Sequence, residues 1–131
     1  MFSFLRNKDN SENKVVRLKF EHPQSAEELA GFLALDAPVF IYKHSPRCSV
    51  SLFAMKRLNT VLTVSAEKWL YLDVIAQRHL SLALAEQLDV VHQSPQLILW
   101  HNKVLASASH SLVHEDTVAE WRNVYTKAEQ V

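Results

Sequence analysis

The chain has a single cysteine, Cys48, at a position where a thiol is easily activated. An apolar run of strand character, residues 39–43, ends at a short polar loop, and Cys48 follows at the predicted start of a helix. First-turn N–H groups lack intrahelical acceptors and the helix dipole favours negative charge there, so both stabilise a thiolate. Arg47 adds a positive charge beside it. On the residues alone, a reactive thiol and a buried structural cysteine both fit, because free cysteine is often buried.

The spacing of Ser51 limits what this thiol can do. Ser51 lies three residues after Cys48, one turn along the same helix face. Its hydroxyl can hydrogen-bond a thiolate but cannot attack a disulfide, and the alternative is an ordinary surface serine. With one cysteine in the chain, exchange is restricted to monothiol chemistry, in which Cys48 takes an adduct and an external thiol then frees it. The lack of a disulfide framework predicts a reducing, cytoplasmic location.

The composition argues against several other functions. Fourteen basic side chains balance fourteen acidic ones, so no net charge favours nucleic acid or a membrane surface. No apolar run approaches the ~20 residues of a membrane span. The single glycine, Gly31, excludes glycine-rich phosphate loops. Seven histidines form no metal-ligand motif, and His110 and His114 lack further ligands in register, so no metal site is predicted.

The predicted elements form one α/β domain, residues 14–131, behind a flexible N-terminal tail, residues 1–13. Strands are predicted at 14–20, 39–43, 69–74, 96–100 and 104–107, with helices at 25–36, 48 to about 60–65, 77–88 and 113–127. The order β-α-β-α-β-α-β-β-α predicts a right-handed parallel core with an antiparallel C-terminal hairpin. It resembles the thioredoxin fold, which keeps its redox site where a helix follows the second strand.

Four short blocks stand in order along the chain: HSPRCSVS at 44–51, YLDVI at 71–75 with Arg78 after it, HQSPQ at 92–96, and ASH at 108–110. Together they resemble the monothiol bacilliredoxins, thioredoxin-like proteins of the bacillithiol system first described as general stress proteins. The resemblance spans roughly residues 18–121. Pro46 and Ser49 depart from it, because the family usually has threonine before the arginine and proline after the cysteine.

The resemblance implies a three-layer thioredoxin-like fold and an oxidoreductase that removes low-molecular-weight thiols from protein mixed disulfides. Cys48 is then the nucleophile, with Arg47 beside it and Ser51 in the place of a resolving cysteine. Pro95 takes the place of a cis-proline that presents the backbone of Ser94 to a bound ligand. Bacillithiol or another small thiol is the implied co-substrate, S-thiolated proteins are the implied partners, and no bound cofactor is expected.

Three further side chains are candidates for contact with the ligand. Lys43 and Arg78 join Arg47 as cations that could receive the carboxylates of a bacillithiol-like molecule, or they are solvated charges. His44 either acts on Cys48 as a base or cation or simply caps the strand end. Two other functions fit the same residues: a thioredoxin-like stress or binding module whose cysteine is modified in passing, and a redox sensor that dimerises through Cys48.

Overall fold

A computed structural model describes residues 15–126 of the 131-residue chain. The predicted tail, residues 1–13, lies outside this range, as do the first residue of the first predicted strand and the last residue of the last predicted helix. The elements in chain order are β1 (Val15–Arg17), α1 (Ala26–Leu33), β2 (Val39–His44), α2 (Ser49–Leu58), β3 (Leu62–Val64), β4 (Lys68–Asp73), α3 (Arg78–Leu88), β5 (Gln96–Trp100), β6 (Val104–Ser109) and α4 (Glu115–Trp121). A 3₁₀ turn, His110–Leu112, precedes α4, and a π-helical turn, Arg122–Thr126, follows it. No helix in residues 15–126 has the length and apolar character needed to cross a membrane.

The central sheet has four strands in the order β4-β2-β5-β6. β2 is parallel to β4, with His44 opposite Asp73, and antiparallel to β5, with Lys43 opposite Gln96. β6 returns antiparallel to β5 and completes the hairpin. The predicted parallel core with an antiparallel hairpin is therefore confirmed. Because of this register, the end of β2 and the start of β5 meet at one edge of the sheet.

Helices cover both faces of this sheet. Side chains alternate along a strand, so Phe40 and Tyr42 pack on the face covered by α2 and α4, and Val39 and Ile41 pack on the face covered by α1 and α3. Phe40 also stacks on Trp69, with ring centroids 4.2 Å apart. Because β2 is buried along its whole length, it is the strand around which both layers of helices are built.

Two predicted elements differ from the structure. The first strand is shorter than predicted and pairs antiparallel with β3 in a separate two-stranded ribbon. β3 lies in the stretch that the sequence assigned to the fading end of the second helix. That helix ends at Leu58, because the backbone turns at Asn59 and Thr60, whose hydroxyl donates to the Arg57 carbonyl at 2.7 Å. After β1, the backbone of Glu21 pairs with the main sheet in an isolated bridge to Leu70.

Local signals in the sequence set several boundaries correctly. Ser25 caps α1 by accepting from the Glu28 N–H at 3.1 Å, while the Glu28 carboxylate accepts from Gln24 N rather than from the cap residue. The predicted turn at 101–103 joins β5 to β6, and Asn102 takes the positive φ of 66° that asparagine tolerates. The α-helical part of the last helix is shorter than predicted and continues as the π-helical turn Arg122–Thr126; Val118 and Trp121 are buried, but Val124 is exposed.

We expect Gly31→Ala to stabilise the protein. Gly31 lies inside α1 with an ordinary φ, and a Cβ built on it meets nothing within 4 Å. Glycine inside a helix costs about 0.5–1 kcal/mol relative to alanine, so the free energy of unfolding should rise by about that much in urea denaturation. The matched control is Ala30→Gly at the exposed neighbouring position, which should lower it by a similar amount. A lower free energy of unfolding for Gly31→Ala than for wild type would contradict this expectation.

Candidate active site around Cys48

Cys48 is the N-cap of α2, so its thiol lies in front of the first helical turn. Its backbone is extended, with φ −109° and ψ 123°, and no side-chain hydrogen bond caps the helix. The Cys48 N–H donates to the Ser45 carbonyl at 3.1 Å, and the Cys48 carbonyl accepts the first helical bond from Leu52 N at 3.1 Å. The thiol is half-buried. The turn from Ser45 thus presents a partly accessible sulfur to N–H groups that have no other acceptor.

The environment of Cys48 holds the pKa of its thiol below the ordinary value. The largest cause is the backbone N–H of Ser51, which favours the ionised form of the sulfur; the Val50 N–H and the Ser51 hydroxyl act in the same direction, and partial burial opposes them. Every favourable contribution comes from the first turn of α2. Arg47, predicted to supply a positive charge, has an exposed side chain and is not among these causes. It remains a candidate for contact with a ligand.

Ser51 is fully buried, which rules out the surface-serine alternative. Its Oγ accepts a hydrogen bond from the Ser45 N–H at 3.2 Å, which leaves the hydroxyl proton available for the Cys48 thiolate. One side chain therefore fixes the loop before the cysteine and stabilises the sulfur after ionisation.

A buried aromatic layer lies under this turn, and its central residue, Tyr42, was not among the predicted site residues. The phenol donates to the Ser51 carbonyl at 3.0 Å and contacts His44 Nδ1 at 2.8 Å. Since the phenol has only one proton, Nδ1–H of a neutral His44 donates to its oxygen. The pKa of Tyr42 is raised, mainly by burial and further by Tyr71 and Cys48. The pKa of His44 is lowered by burial, which the nearby Asp73 partly opposes. Strand alternation places Tyr42 on the same face as Phe40, but only the structure shows that this is the face beneath α2.

The Ser94–Pro95 peptide bond is cis, as the family resemblance implied. The antiparallel register of β2 and β5 continues from Lys43 opposite Gln96 and so brings Pro95 beside His44, at the sheet edge where the Cys48 loop begins. The Pro95 carbonyl accepts from the His110 N–H at 2.9 Å, which ties this segment to the turn after β6. The structure thus brings Cys48, Ser51, His44 and Pro95 to one edge of the sheet.

Lys43 is not part of that group. It alternates with Tyr42 and His44, so its side chain extends to the opposite face of the sheet, where it is fully buried. Its Nζ donates to the Ser81 carbonyl of α3 at 3.0 Å. The alternative of a solvated charge is wrong for Lys43, and its amine lies away from any ligand at the thiol. Arg78, at the start of α3, is exposed.

An apolar cavity of about 240 Å³ lies beside α2. Its walls come from α2 and from the turn after β6: Val50, Phe53, Ala54, Arg57, His110, Ser111 and Val113. Val50 is 40% exposed and Phe53 69% exposed. The Arg57 guanidinium is held by the Glu115 carboxylate at 2.6 Å, so the wall carries little free charge. The surface of α2 around this cavity is therefore largely apolar.

One group of metal-type donors occurs among residues 15–126, at the start of α4. Ligand atoms of His114, Glu115 and Asp116 lie within 4.8 Å of one another. His114 Nδ1 accepts from the Asp116 N–H at 3.1 Å and caps the helix, while Glu115 binds Arg57. These contacts give the group a structural role in joining α4 to α2.

The sequence of residues 21–118 matches the family model for monothiol bacilliredoxin BrxC. The chain belongs to this family. The match confirms the resemblance seen in the four short blocks and supports a thiol redox function for the chain. Among curated proteins, none matches the sequence significantly.

Solved structures place this BrxC-family chain in the thioredoxin fold. A protein described as a putative oxidoreductase with a thioredoxin fold superposes with a TM-score of 0.67 at 23% identity, over 76% of this chain and 89% of that one. Thioredoxin from Trypanosoma brucei brucei superposes with a TM-score of 0.64 at 13% identity, over 83% of this chain and 92% of that one. A mutant thioredoxin from Halobacterium salinarum NRC-1 superposes with a TM-score of 0.63 at 17% identity, over 80% of this chain and 88% of that one. At these identities the likeness concerns the fold alone.

Replacing Ser51 by alanine should make the BrxC-family thiol less acidic. Ser51→Ala removes the hydroxyl that stabilises the thiolate and the acceptor for Ser45 N. Because a hydrogen bond contributes about 0.5–1.5 kcal/mol, alkylation of Cys48 by iodoacetamide at pH 7 should slow by about two- to tenfold. The rate should reach the wild-type plateau only at higher pH. The control is Ser49→Ala, whose exposed side chain does not contribute; an unchanged profile for Ser51→Ala would contradict the assigned role.

Proposed function

We propose that the chain is a monothiol oxidoreductase that takes low-molecular-weight thiols, such as bacillithiol, from protein mixed disulfides onto Cys48. The observation that carries this proposal is the placement of the only cysteine, half-buried at the N-cap of α2, where helix N–H groups lower the pKa of its thiol. Family membership supports the same chemistry. If the chain were a binding module whose cysteine is modified in passing, a lowered pKa at Cys48 would have no function.

The reaction consists of two thiol–disulfide exchanges. First, the Cys48 thiolate attacks the sulfur of the small thiol in the mixed disulfide. A bond forms between Cys48 and that sulfur, the original S–S bond breaks, and the electron pair leaves on the client thiolate, which takes a proton from water. Second, the thiolate of another small-thiol molecule attacks the Cys48 adduct and leaves as part of a small disulfide, which restores the Cys48 thiolate. In the net reaction the client cysteine is reduced, one free small thiol is consumed, and its sulfur leaves joined to the sulfur of the original adduct as one disulfide.

The lowered pKa of Cys48 assists both steps. In the first step it increases the fraction of thiolate near neutral pH. In the second step Cys48 is the leaving group, and a thiol of lower pKa leaves faster. Ser51 hydrogen-bonds the departing sulfur but cannot attack it, so the adduct must wait for an external thiol.

The side chains around Cys48 suggest how the two partners are held. Arg47 is exposed next to the cysteine and can receive the carboxylates of bacillithiol, while the backbone of Ser94, before the cis-proline, faces the same edge of the sheet. Apolar residues of the client fit the surface of Val50 and Phe53. His44 acts indirectly, through Tyr42 and the Ser51 carbonyl. A reducing cytoplasm is the compartment that suits this exchange.

Mass spectrometry tests the transfer step directly. A single-cysteine protein carrying bacillithiol as a mixed disulfide is mixed with the chain, and intact masses are recorded with time. We expect the adduct to move to Cys48 and the client to return to its free thiol, while Cys48→Ser shows no transfer. The same client carrying glutathione reports on the choice of small thiol. A wild-type protein that acquires no adduct, or that instead forms a disulfide-linked dimer, would overturn the proposal.

Placing a second thiol at the position of Ser51 should change the product. In Ser51→Cys, the new thiol lies one turn from Cys48 and can attack its adduct intramolecularly. We expect the adduct mass to be replaced by a species two hydrogens lighter than the reduced variant, with the small thiol released. The control is Ser49→Cys, whose side chain is exposed on a different face of α2. An equally persistent adduct in Ser51→Cys and in wild type would show that the two positions cannot react.

A further inference from the structure

Lys43 is a buried amine that the exchange chemistry does not use. The cluster around it, called the Lys43 cluster below, comprises Lys43 on β2, Ser81 on α3, His92 in the loop of residues 90–95, and Gln96 at the start of β5. Lys43 is fully buried, and burial lowers its pKa to about 8. No carboxylate within residues 15–126 forms an ion pair with Nζ or contributes to that shift. An apolar residue at this position would avoid the cost of burying an amine.

The contacts of Lys43 converge on the loop of residues 90–95. Its Nζ lies 3.2 Å from His92 Nδ1 and 3.0 Å from the Ser81 carbonyl, so one amine joins β2, the loop and α3. Burial, Lys43 and Arg78 lower the pKa of His92, which favours the neutral ring, whose Nδ1 can accept from the amine. The Ser81 hydroxyl lies 3.5 Å from the same nitrogen.

Gln96 makes a second connection to the same loop. Its Nε2 donates to the Val91 carbonyl at 2.8 Å, and its position opposite Lys43 places the two side chains on the same face of the sheet. Gln96 Oε1 is buried without a hydrogen-bond partner among the described residues. Buried polar groups are normally hydrogen-bonded, and the bonds that Lys43 and Gln96 do form reach His92 and Val91 in the loop.

The position of the loop matters because it carries Ser94 and Pro95. His92 lies three residues before Pro95, and Gln96 comes directly after it. Lys43 lies one residue before His44, where the segment leading to Cys48 leaves the sheet. The Lys43 cluster therefore connects the segment that carries the thiol to the segment that faces it, through the opposite side of the sheet.

We propose that Lys43 is a positioning residue, whose bonds to His92 and Ser81 hold the loop of residues 90–95, and with it Pro95, at a fixed distance from the Cys48 loop. This inference rests on the proposed function for its effect on catalysis, but the link between Lys43 and the loop is a separate property of the fold. Removal of the amine loosens the wall that receives the client and leaves the sulfur unchanged.

The catalytic test uses Lys43→Met, which keeps the apolar stem and removes the nitrogen. The substrate is an eight-residue peptide with a bacillithiol-linked cysteine, and free bacillithiol is the second thiol. We expect KM for the peptide to rise on the order of tenfold, below the ~100-fold that a 1 Å misplacement can cost. The rate and pH profile of Cys48 alkylation should stay as in wild type. A purely structural role would reduce the active fraction and kcat without moving KM.

Controls separate the cluster from a general loss of charge or stability. Lys103→Met removes an exposed lysine in the β5–β6 turn, at the far end of β5 from Pro95, and should leave KM unchanged. His92→Leu, at a half-buried position, should raise KM by itself and carries the test if Lys43→Met does not fold. The KM of the double variant should rise no further than that of either single variant, because both substitutions remove the same contact between Lys43 and His92. If the two substitutions raised KM additively in free energy, the result would contradict a shared bond.

Hydrogen exchange tests the link to the loop without reference to activity. We expect the amide of Val90, which donates to the Ala85 carbonyl at 3.0 Å where the loop leaves α3, to exchange faster in Lys43→Met than in wild type or Lys103→Met, while the amides of α2 are unaffected. Unchanged exchange in this loop would overturn the inference whatever the activity. A wild-type protein that transfers no adduct would overturn the proposed function, and the exchange result would still decide whether Lys43 holds the loop.

Discussion

The complete burial of β2 is the constraint on which the rest of the structure depends. The strand lies between β4 and β5 and is covered by helices on both faces, so all six of its side chains are buried. Strand alternation then assigns Tyr42 to the face beneath α2 and Lys43 to the face beneath α3. Each polar group must find its partners inside the protein. Tyr42 finds them in the turn that carries the thiol, and Lys43 finds them at the loop before the cis-proline.

Much of the site could be predicted from the sequence because its signals are local. An apolar run followed by a polar loop and a helical pattern placed Cys48 at the start of α2, and the structure makes it the N-cap. The three-residue spacing placed Ser51 on the same side of the helix, where its hydroxyl stabilises the thiolate. The cis Ser94–Pro95 bond came from the family resemblance, because no local pattern in the chain encodes it.

The features that sequence patterns did not predict depend on distant contacts. β3 has three residues and exists only because β1 pairs with it. Residues 39–43 look uniformly apolar apart from Lys43, so the sequence does not show which face each side chain takes, and Lys43 was placed with the ligand contacts. Arg47 precedes Cys48 in sequence, yet its side chain is exposed and is not among the groups that lower the pKa of the Cys48 thiol. Adjacency in sequence is a poor guide to electrostatics where a backbone turn separates two side chains.

The source of the sulfur's acidity has a consequence for how this protein responds to its surroundings. The groups that lower the pKa of Cys48 belong to the first turn of α2, directly after the cysteine, and the helix backbone fixes their positions. An exposed cation such as Arg47 is instead screened over a Debye length of about 8 Å at physiological ionic strength. Changes in cellular salt therefore alter the attraction of charged partners more than the intrinsic nucleophilicity of the thiol. Surface substitutions can accordingly change the choice of partner while the backbone of α2 keeps the sulfur reactive.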